Sequence, residues 1–178
     1  MKHIDLNMLF REWLNLNTLR RFMVKEPLKV IITNFSPGDR KVIRPDIADP
    51  TCKEGRIIPM NGIIYIEQND FKLEPERRYK RLAPGKEVRL KYYGVVKYVS
   101  HDKDGVMVEL FEKNKTKGAA IHWVSKLDCL KLNNGQIAEN NLEPGTTVQF
   151  ERVGYYRVMG TNEVRHVIGL KDTYNAKK

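Results

Sequence analysis

Basic side chains crowd into one short stretch of this sequence, residues 79–91. A Pro84-Gly85 turn divides the stretch, and the apolar residues that follow it alternate as they do in a strand. Because successive side chains of a strand point to opposite faces, we expect Arg89 and Lys91 to project from one face of this strand. A hairpin of this kind would present a cluster of cations to an anionic ligand. The cations of the stretch are Lys80, Arg81, Lys86, Arg89 and Lys91.

Basic and polar side chains recur at two further places: Arg20 and Arg21 at the end of a predicted helix, and Gln149 and Arg152 near the end of a predicted strand. Proteins that recognise RNA by sequence read unpaired bases with such side chains and stack aromatic rings on them. Since Gln149 and Arg152 are three residues apart, they need a bulge or a terminal turn to reach one base. For each residue taken singly, a solvated surface charge is the alternative. The aromatic candidates, most of which we expect to pack in cores, are Tyr79, Tyr92, Tyr93, Tyr155 and Tyr156.

The charge balance narrows the class of partner. The chain has 178 residues, with 32 Lys and Arg against 22 Asp and Glu, a net charge of +10 and a pI of 9.6. This excess favours nucleic acid or an anionic surface as partner, although a highly charged protein without one is the simpler alternative. No apolar run approaches the roughly 20 residues that cross a bilayer, and no signal-peptide pattern is present. We therefore expect a cytoplasmic protein.

Signatures of catalysis and of metal binding are absent from the sequence. It contains no glycine-rich phosphate loop, no HExxH motif and no nucleophile elbow. Asp102 and Asp104 lack the regularly spaced oxygen ligands of a calcium loop, and Cys52 and Cys129 lack the second pair of a zinc site. His122, on a predicted strand, is expected to pack in a core. We expect no metal, no cofactor and no catalytic residue in this chain.

Hydrophobic periodicity predicts the elements that carry these residues. Apolar residues recur at helical spacing from residue 4 to about 23, with Asp5 placed to favour the first turn and Pro27 to end the helix. Beyond it, short apolar runs predict many strands, with Asn61-Gly62 typical of a hairpin turn. No internal repeat is evident, and this strand spacing favours barrels. The predicted strands are 28–33, 41–43, 56–59, 63–67, 87–90, 94–100, 107–112, 119–124, 127–132, 147–152, 155–158 and 164–170.

Six blocks of the sequence resemble, in order, the C-terminal anticodon-binding region of glutaminyl-tRNA synthetase, within the class I glutamyl/glutaminyl-tRNA synthetase family. The order and spacing of the blocks match from about residue 5 to residue 174. The blocks are RRFMVKEPLKVIITN (20–34), IYIEQNDF (64–71), YKRLAPGKEVRLK (79–91), IHWVS (121–125), VQFERVGYY (148–156) and GLKDTY (169–174).

The resemblance implies a mainly β fold of two β-barrels, of a type related to that of 5S rRNA-binding ribosomal proteins, preceded by an N-terminal helix. It implies that the chain leaves the first barrel, forms the second and returns. The domains expected on this basis are a helical segment at 1–26, a proximal barrel from 27–75 and 144–178, and a distal barrel at 76–143.

The resemblance also implies that the barrels grip the anticodon loop of a tRNA. Arg20, Gln149 and Arg152 would surround the middle anticodon base, which is a uridine in glutamine tRNAs. Arg81 would read the third base. The first base and its neighbouring phosphates would fall to Lys80, Arg89 and Lys91. Lys91 replaces an arginine that is usual in bacterial members of the family, and Arg78 stands where a glutamine is often found.

The catalytic domain of the family, with its HIGH-type and KMSKS-type motifs, has no counterpart in this sequence. We therefore expect the chain to be inactive alone, with ATP bound by the catalytic domain of a parent enzyme, and to be a monomer. A piece of a longer enzyme and a freestanding paralogue both remain open. The YKRLAPGKEVRL block favours glutamine tRNA as the partner. The alternatives are the same region of an archaeal or eukaryotic-type glutamyl-tRNA synthetase, a freestanding protein that binds tRNA or ribosomal 5S rRNA, and a protein-binding regulator.

Overall fold

The computed structural model describes residues 5–37, 42–45, 55–111 and 115–171. This part of the chain is mainly β, as predicted, with one α-helix, α1 at Leu6–Asn17, and short 3-10 helices at Gln68–Asp70 and Lys126–Asp128. The strands are β1 (Leu19–Arg21), β2 (Met23–Val24), β3 (Pro27–Ile32), β4 (Val42–Pro45), β5 (Gly55–Ile58), β6 (Ile63–Glu67), β7 (Glu87–Leu90), β8 (Gly94–Asp102), β9 (Gly105–Phe111), β10 (Ala120–Ile121), β11 (Val124–Ser125), β12 (Cys129–Lys131), β13 (Ile137–Glu139), β14 (Thr147–Phe150), β15 (Gly154–Gly160) and β16 (Glu163–Ile168).

Helix α1 is shorter than predicted. Asp5 caps it, because its carboxylate accepts hydrogen bonds from the backbone N–H groups of Asn7 and Met8 at 3.0 and 3.3 Å. The helix ends at Asn17 rather than near residue 23, and Thr18 already has an extended backbone. The prediction was wrong because Leu19–Arg21 form β1, which makes a parallel ladder with β14 far along the chain. Pairing with a distant strand overrides a local helical pattern.

Most of the large apolar side chains of α1 are exposed. Leu14 is the buried residue of the helix, whereas Trp13 and Leu16 are 58% and 72% exposed. Pro27 does not end the helix but is the first residue of β3. Proline suits that position because the first residue of a strand tolerates the loss of an N–H donor.

The described residues divide into two compact units. The first contains 5–21, 45, 55–56 and 141–171, and the second contains 22–37, 42–44, 57–111 and 115–140. This grouping differs from the expected domain boundaries, which placed 27–75 with the C-terminal segment. The difference arises because β3 lies between β6 and β9 in one sheet, so that the strands before and after residue 76 share a core.

The second unit contains a seven-stranded sheet in the order β10-β7-β8-β9-β3-β6-β11. Its two edge strands, β10 and β11, are consecutive in the chain and are joined only by His122 and Trp123. The edges of a flat seven-stranded sheet would lie about 29 Å apart at the usual strand spacing. Ile121 and Val124 are at most about 11 Å apart across this link. The sheet must therefore curl towards closure, and the single strand predicted at 119–124 is divided by the link.

Trp123 fills the interior at this link. Its side chain is fully buried, and its indole Nε1 donates to the carbonyl oxygen of Lys91 at 2.9 Å. His122 is buried as well, as expected for a core residue. The buried hydrophobic cluster of this unit comprises Phe22, Val24, Val30, Ile32, Ile58, Ile64, Ile66, Leu82, Val88, Leu90, Val96, Val106, Val108, Ile121, Trp123 and Val124.

The hairpin predicted around Asn61-Gly62 does not form. Strand β6 pairs with β3 and β11, whereas β5 pairs with β4. Gly62 has a φ of 78° and lies against the ring of Phe35, so the turn is present but leads β6 to other partners. The second unit also contains a three-stranded sheet, β12-β13-β2. Its middle strand, β13, was not predicted because it is only three residues long.

The first unit combines α1 with a four-stranded sheet in the order β1-β14-β15-β16. Arg11 of the helix donates from Nε to the carbonyl oxygen of Gly169 at 3.0 Å. Phe150 and Tyr156 make an edge-to-face ring contact, with centroids 5.3 Å apart, in the buried part of the sheet. The order of the strands places β14 between β1 and β15, which later determines the neighbours of Gln149.

A hairpin occurs twice in the chain, although the sequence analysis found no repeat. Residues 82–99 and 142–159 align without a gap at an offset of 60, and five residues are identical. We call these segments the first and second copies of the repeated hairpin. The register of β7 with β8 is that of β14 with β15, since Leu90 faces Gly94 and Phe150 faces Gly154. The identical pairs are Leu82 and Leu142, Pro84 and Pro144, Gly85 and Gly145, Val88 and Val148, and Gly94 and Gly154.

The hydrogen bonds around the two copies also correspond. Each central three-residue turn is closed by one backbone bond, Tyr93 N–H to Leu90 O at 3.0 Å in the first copy and Val153 N–H to Phe150 O at 2.9 Å in the second. Each copy also receives a short parallel strand, β10 along β7 and β1 along β14. The repeat was missed because five identities in eighteen positions are too sparse to stand out without these shared pairings.

Glu67 ties three segments of the second unit together. Its carboxylate accepts hydrogen bonds from the backbone N–H of Lys25 at 2.9 Å and of Glu26 at 3.1 Å, and it lies 3.3 Å from Nε2 of His122. Burial alone would raise the pKa of Glu67, but the hydrogen bonds from His122 and from the two backbone N–H groups outweigh burial and lower this pKa below its ordinary 4.5. The charged carboxylate is therefore the form that stabilises the fold.

We predict that Glu67→Gln lowers the free energy of unfolding by about 1–2 kcal/mol at neutral pH, because hydrogen bonds to a charged acceptor are lost. The stabilisation from a carboxylate with a lowered pKa is present above its ordinary pKa of 4.5 and is lost as the pH falls through the lower folded value. Urea unfolding should therefore show a difference between wild type and variant that shrinks below pH 4.5. Glu74→Gln, at an exposed position, is the control. A difference that persists unchanged at low pH would contradict this role.

Candidate nucleic-acid interface

Arg81 lies in the wall of an open cavity of about 610 Å³ in the second unit. Its Nη1 atom lies 3.1 Å from Oδ1 of Asp70, whose side chain is 1% exposed, and donates to the carbonyl oxygen of Asn69 at 3.3 Å. The Arg81 side chain itself is 41% exposed. One edge of the guanidinium is thus held by a buried carboxylate while the rest of the group is open to a ligand. The other basic side chains that line this cavity are Lys72, Arg78 and Lys80.

Tyr79 is a half-buried ring surrounded by cations. The Nζ atoms of Lys72 and Lys86 lie 5.4 and 5.9 Å from its centroid, within the range of cation–π attraction. Its hydroxyl donates to the carbonyl oxygen of Asn69 at 3.2 Å. Burial, and then the nearby charge of Asp70, raise the pKa of Tyr79 to about 12. The phenol therefore remains a neutral donor at physiological pH.

Lys80 is exposed and lines a second cavity, of about 480 Å³, together with Lys86 and Lys117. Its carbonyl oxygen accepts the backbone N–H of Ala119 at 2.8 Å, which fixes the path of the chain beneath the side chain. Residues 113–118, KNKTKG, contain three lysines, and we call them the basic loop. Its described part, 115–118, therefore lies beside the basic stretch at 79–91. Lys113 and Asn114 lie outside the described residues.

Arg89 and Lys91 line a third cavity, of about 320 Å³. Arg89 is exposed on β7, but β7 ends at Leu90 and Lys91 is the first residue of the following turn. The expectation that both side chains project from one face of a strand was therefore wrong for Lys91. Its Nζ atom lies 5.2 Å from the ring centroid of Tyr92, the next residue. Arg89, Lys91 and Tyr92 thus line one cavity, with the Lys91 ammonium over the aromatic ring.

In the first unit, Arg20 and Gln149 face each other on the neighbouring strands β1 and β14. Gln149 also faces Tyr155 on β15, so the three side chains form a row on one face of the sheet. Gln149 is 8% exposed, and Arg20 is half-buried, with its Nη2 donating to Oδ1 of Asn15 at 3.2 Å. An amide and a guanidinium held side by side offer both donors and acceptors to a base edge.

Arg152 is exposed in the turn that follows β14, where its φ is 68°. The strand predicted to run to residue 152 ends at Phe150. The terminal turn that the sequence analysis required between Gln149 and Arg152 is therefore present. A left-handed backbone is uncommon for a residue other than glycine and re-aims the side chain relative to the strand.

The seven predicted site residues divide between the two units. Arg20, Gln149 and Arg152 belong to the first unit, and the others belong to the second. Within the second unit, Lys80 shares one cavity with Arg81, and Arg89 shares another with Lys91. The sequence analysis missed Asp70 as a partner of Arg81, because nothing in the sequence shows that this carboxylate is buried.

Two kinds of feature are absent from the described residues. No group of three His, Cys, Asp or Glu side chains lies close enough together to hold a metal ion. In the same ranges, no helix has the length and apolar character needed to cross a membrane. Cys129 is half-buried, and Cys52 lies outside the described residues.

Comparison with known proteins identifies the class to which this arrangement belongs. The sequence model of a family described as "tRNA synthetases class I (E and Q), anti-codon binding domain" matches residues 18–114, which is more than half of the chain. The chain therefore belongs to the family of anticodon-binding domains of class I glutamyl- and glutaminyl-tRNA synthetases. All four predicted site residues of the second unit, and Arg20 of the first, lie within the matched range.

The individual relatives carry the name of one enzyme. The chain is 39% identical over 129 residues to a probable glutamine–tRNA ligase of Drosophila melanogaster, covering 65% of this chain and 16% of that protein. It is 29% identical over 221 residues to the glutamine–tRNA ligase of Yersinia enterocolitica, covering 94% of this chain and 40% of the enzyme. It is 33% identical over 135 residues to that of Escherichia coli O157:H7, covering 67% and 24%. The chain thus spans less than half the length of these relatives. The similarity supports the assignment of this chain to the C-terminal region of a glutaminyl-tRNA synthetase.

We predict that Asp70 and Arg81 are energetically coupled. Asp70→Asn and Arg81→Ala should each destabilise the fold by about 1–2 kcal/mol, since a hydrogen bond between charged groups is lost. The double variant should be less destabilised than the sum of the two, with a coupling of about 0.5–1.5 kcal/mol in denaturant unfolding. Lys80→Ala, at the exposed neighbouring residue, is the matched control and should add to Asp70→Asn without coupling. Additive effects of Asp70→Asn and Arg81→Ala would show that the pair does not act as a unit.

Proposed function

We propose that this chain binds the anticodon loop of a tRNA, and of glutamine tRNA in particular, as the non-catalytic C-terminal region of a glutaminyl-tRNA synthetase. The observation that carries the proposal is the guanidinium of Arg81, held by buried Asp70 in a basic cavity within the range matched by the anticodon-binding family. A guanidinium positioned in this way suits the recognition of an unpaired base, because its planar fork needs no further ordering.

The roles of the other residues follow from their surroundings. In this proposal Arg20, Gln149 and Arg152 read the middle anticodon base, which the donors and acceptors of the Arg20–Gln149 pair favour. Arg81 reads the third base. Lys80, Arg89 and Lys91 serve the first base and the neighbouring phosphates, and their exposure suits contacts with a solvated backbone.

The proposal places ATP binding and amino-acid transfer outside this chain. It also carries the expectations of a cytoplasmic location and a monomeric state. Pyrophosphate exchange by the purified chain would measure adenylate formation directly, and activity in that assay would overturn the division of labour. Glutamate tRNA is the alternative partner, favoured by the family description, which covers both amino acids.

We predict that Arg81→Ala and Arg152→Ala each weaken binding of a glutamine anticodon stem-loop by about 1–3 kcal/mol, because a bidentate contact with a base is lost. Fluorescence anisotropy with the isolated stem-loop measures this. The loss for Arg152→Ala should shrink when the middle base is changed, and that for Arg81→Ala when the third base is changed.

The matched control is Lys115→Ala, which removes an exposed cation of the basic loop. This variant should weaken all stem-loops alike or have no effect, since phosphate contacts carry no sequence information. Equal weakening of every stem-loop by both arginine variants would reassign the arginines to the backbone. Equal affinity of the wild type for an unrelated stem-loop would refute anticodon recognition, and preference for the glutamate stem-loop would change the partner.

We also predict a salt-dependent affinity. Each phosphate contact to a single strand contributes about −0.7 to the slope of log K against log salt concentration. Lys80→Ala should therefore make this slope shallower by about 0.7 and weaken all stem-loops similarly. Titrations at several KCl concentrations measure the slope, and an unchanged slope would exclude Lys80 from the phosphate contacts.

A further inference from the structure

The repeated hairpin places Tyr92 at the position that Arg152 occupies in the second copy. The two residues have the same offset of 60, and each is the second residue of its three-residue turn. Their backbones agree as well, with φ values of 66° and 68°. The turn that presents one of the proposed base-reading residues in the first unit is therefore built a second time in the second unit, with an aromatic ring at its tip.

The backbone of Tyr92 is strained for a side chain of its size. Left-handed φ values are readily adopted by glycine and asparagine but are costly for bulky residues. Strained residues of this kind cluster at ligand-binding sites, where the surrounding structure holds them. Here the turn is held from both sides, by the backbone bond from Tyr93 N–H to Leu90 O and by the bond from Lys91 N–H to Ile121 O at 2.9 Å.

The surroundings of the Tyr92 ring suit a nucleobase. The ring is 37% exposed, and it stacks on buried Phe22 with centroids 6.3 Å apart and an interplanar angle of 18°. It lines the cavity of about 320 Å³ together with Arg89 and Lys91. Proteins that bind single-stranded nucleic acid combine such rings, on which bases stack, with cations that track the phosphates. The Tyr92 ring is backed by Phe22, and the Lys91 ammonium lies over the ring, 5.2 Å from its centroid. A stacking base would take the place of this flexible ammonium, which is then near enough to meet the adjoining phosphate.

We propose that Tyr92 is a stacking platform for the unpaired base at the first anticodon position, with Arg89 and Lys91 holding the adjoining phosphates. This inference rests on the proposed function, because it takes the ligand to be an anticodon loop. It adds an aromatic residue to a site otherwise made of cations and an amide. Stacking accepts any base, so Tyr92 contributes affinity and placement, and the polar neighbours select the base.

The test compares Tyr92→Asn, Tyr92→Phe and wild type. Asparagine accepts the left-handed backbone but lacks a ring, so the variant separates loss of stacking from loss of fold. Phenylalanine keeps the ring. Phe111→Asn is the matched control, since Phe111 is 38% exposed on β9 and is absent from the lining of this cavity. Thermal unfolding of each variant verifies the fold before binding is measured.

Binding of the glutamine anticodon stem-loop is measured with an intact and an abasic nucleotide at the first anticodon position. Tyr92→Asn should bind the intact stem-loop about 5- to 150-fold more weakly, the usual range for loss of one base stack. Tyr92→Phe and Phe111→Asn should bind like wild type. The loss should vanish for the abasic stem-loop. With 2-aminopurine at the same position, wild type and Tyr92→Phe should quench its fluorescence and Tyr92→Asn should not.

The outcomes separate the two proposals. Failure of wild type to bind any anticodon stem-loop would overturn both. Binding by wild type with equal affinity for Tyr92→Asn would overturn the stacking role alone. A loss of equal size for the intact and abasic stem-loops would overturn it as well, because the ring would then act on the protein or on another nucleotide.

Discussion

The closure of the second unit by a two-residue link is the constraint on which the rest of this structure depends. His122 and Trp123 join the two edge strands of a seven-stranded sheet, and the sheet must curl to permit it. The same link also fixes the backbone of Lys91, one of the cations of the candidate interface. The Trp123 indole donates to the carbonyl oxygen of Lys91, and the Lys91 N–H donates to Ile121, so both backbone groups of Lys91 are held by residues at the link. The position of the third cavity is thus a consequence of how the sheet closes.

In the first unit, too, a short parallel strand fixes the backbone of a turn, but the side chains on that turn are different. Strand β1 runs along β14 as β10 runs along β7, and the Glu151 N–H donates to the carbonyl oxygen of Arg21 as that of Lys91 does to Ile121. In each unit a short parallel strand arrives from elsewhere in the chain and fixes the start of a strained turn. The side chains exposed on these turns, Arg152 and Tyr92, differ in chemistry while the backbone that presents them does not. In the proposals made above, this fixed backbone with variable side chains at its tips makes two separate nucleotide contacts.

Sequence reasoning succeeded where the determinants of an element are local. The bounds of β6 and β7 were predicted correctly, because a short apolar run in β6 and alternating apolar residues in β7, each bounded by turn residues, specify a strand without reference to its partner. Sequence reasoning failed where pairing with a distant strand determines the secondary structure. Residues 19–24 continue a helical pattern but become two strands through pairing with β14 and β13. The cations of the candidate site were found from composition, whereas the anchoring of Arg81 by Asp70 and the left-handed backbone of Tyr92 depend on contacts that no local pattern encodes.

The candidate interface contains two kinds of cation: a guanidinium that a buried carboxylate holds in place, and an exposed ammonium. This difference suits them to different kinds of contact. Asp70 offsets part of the field of the Arg81 charge and orders the guanidinium before any ligand arrives, so less conformational entropy is lost on binding. Such a group suits discrimination, since a wrong base leaves its remaining donors unpaired. Lys80 is exposed, and a mobile ammonium matches a phosphate in many geometries. Lys80 therefore suits long-range attraction of the phosphate backbone. Salt screens this attraction, and it does not depend on the nucleotide sequence. A net charge of +10 spread over the whole chain does not distinguish base recognition from phosphate attraction. The ion pair between buried Asp70 and Arg81 does, because it sets one cation apart from the others.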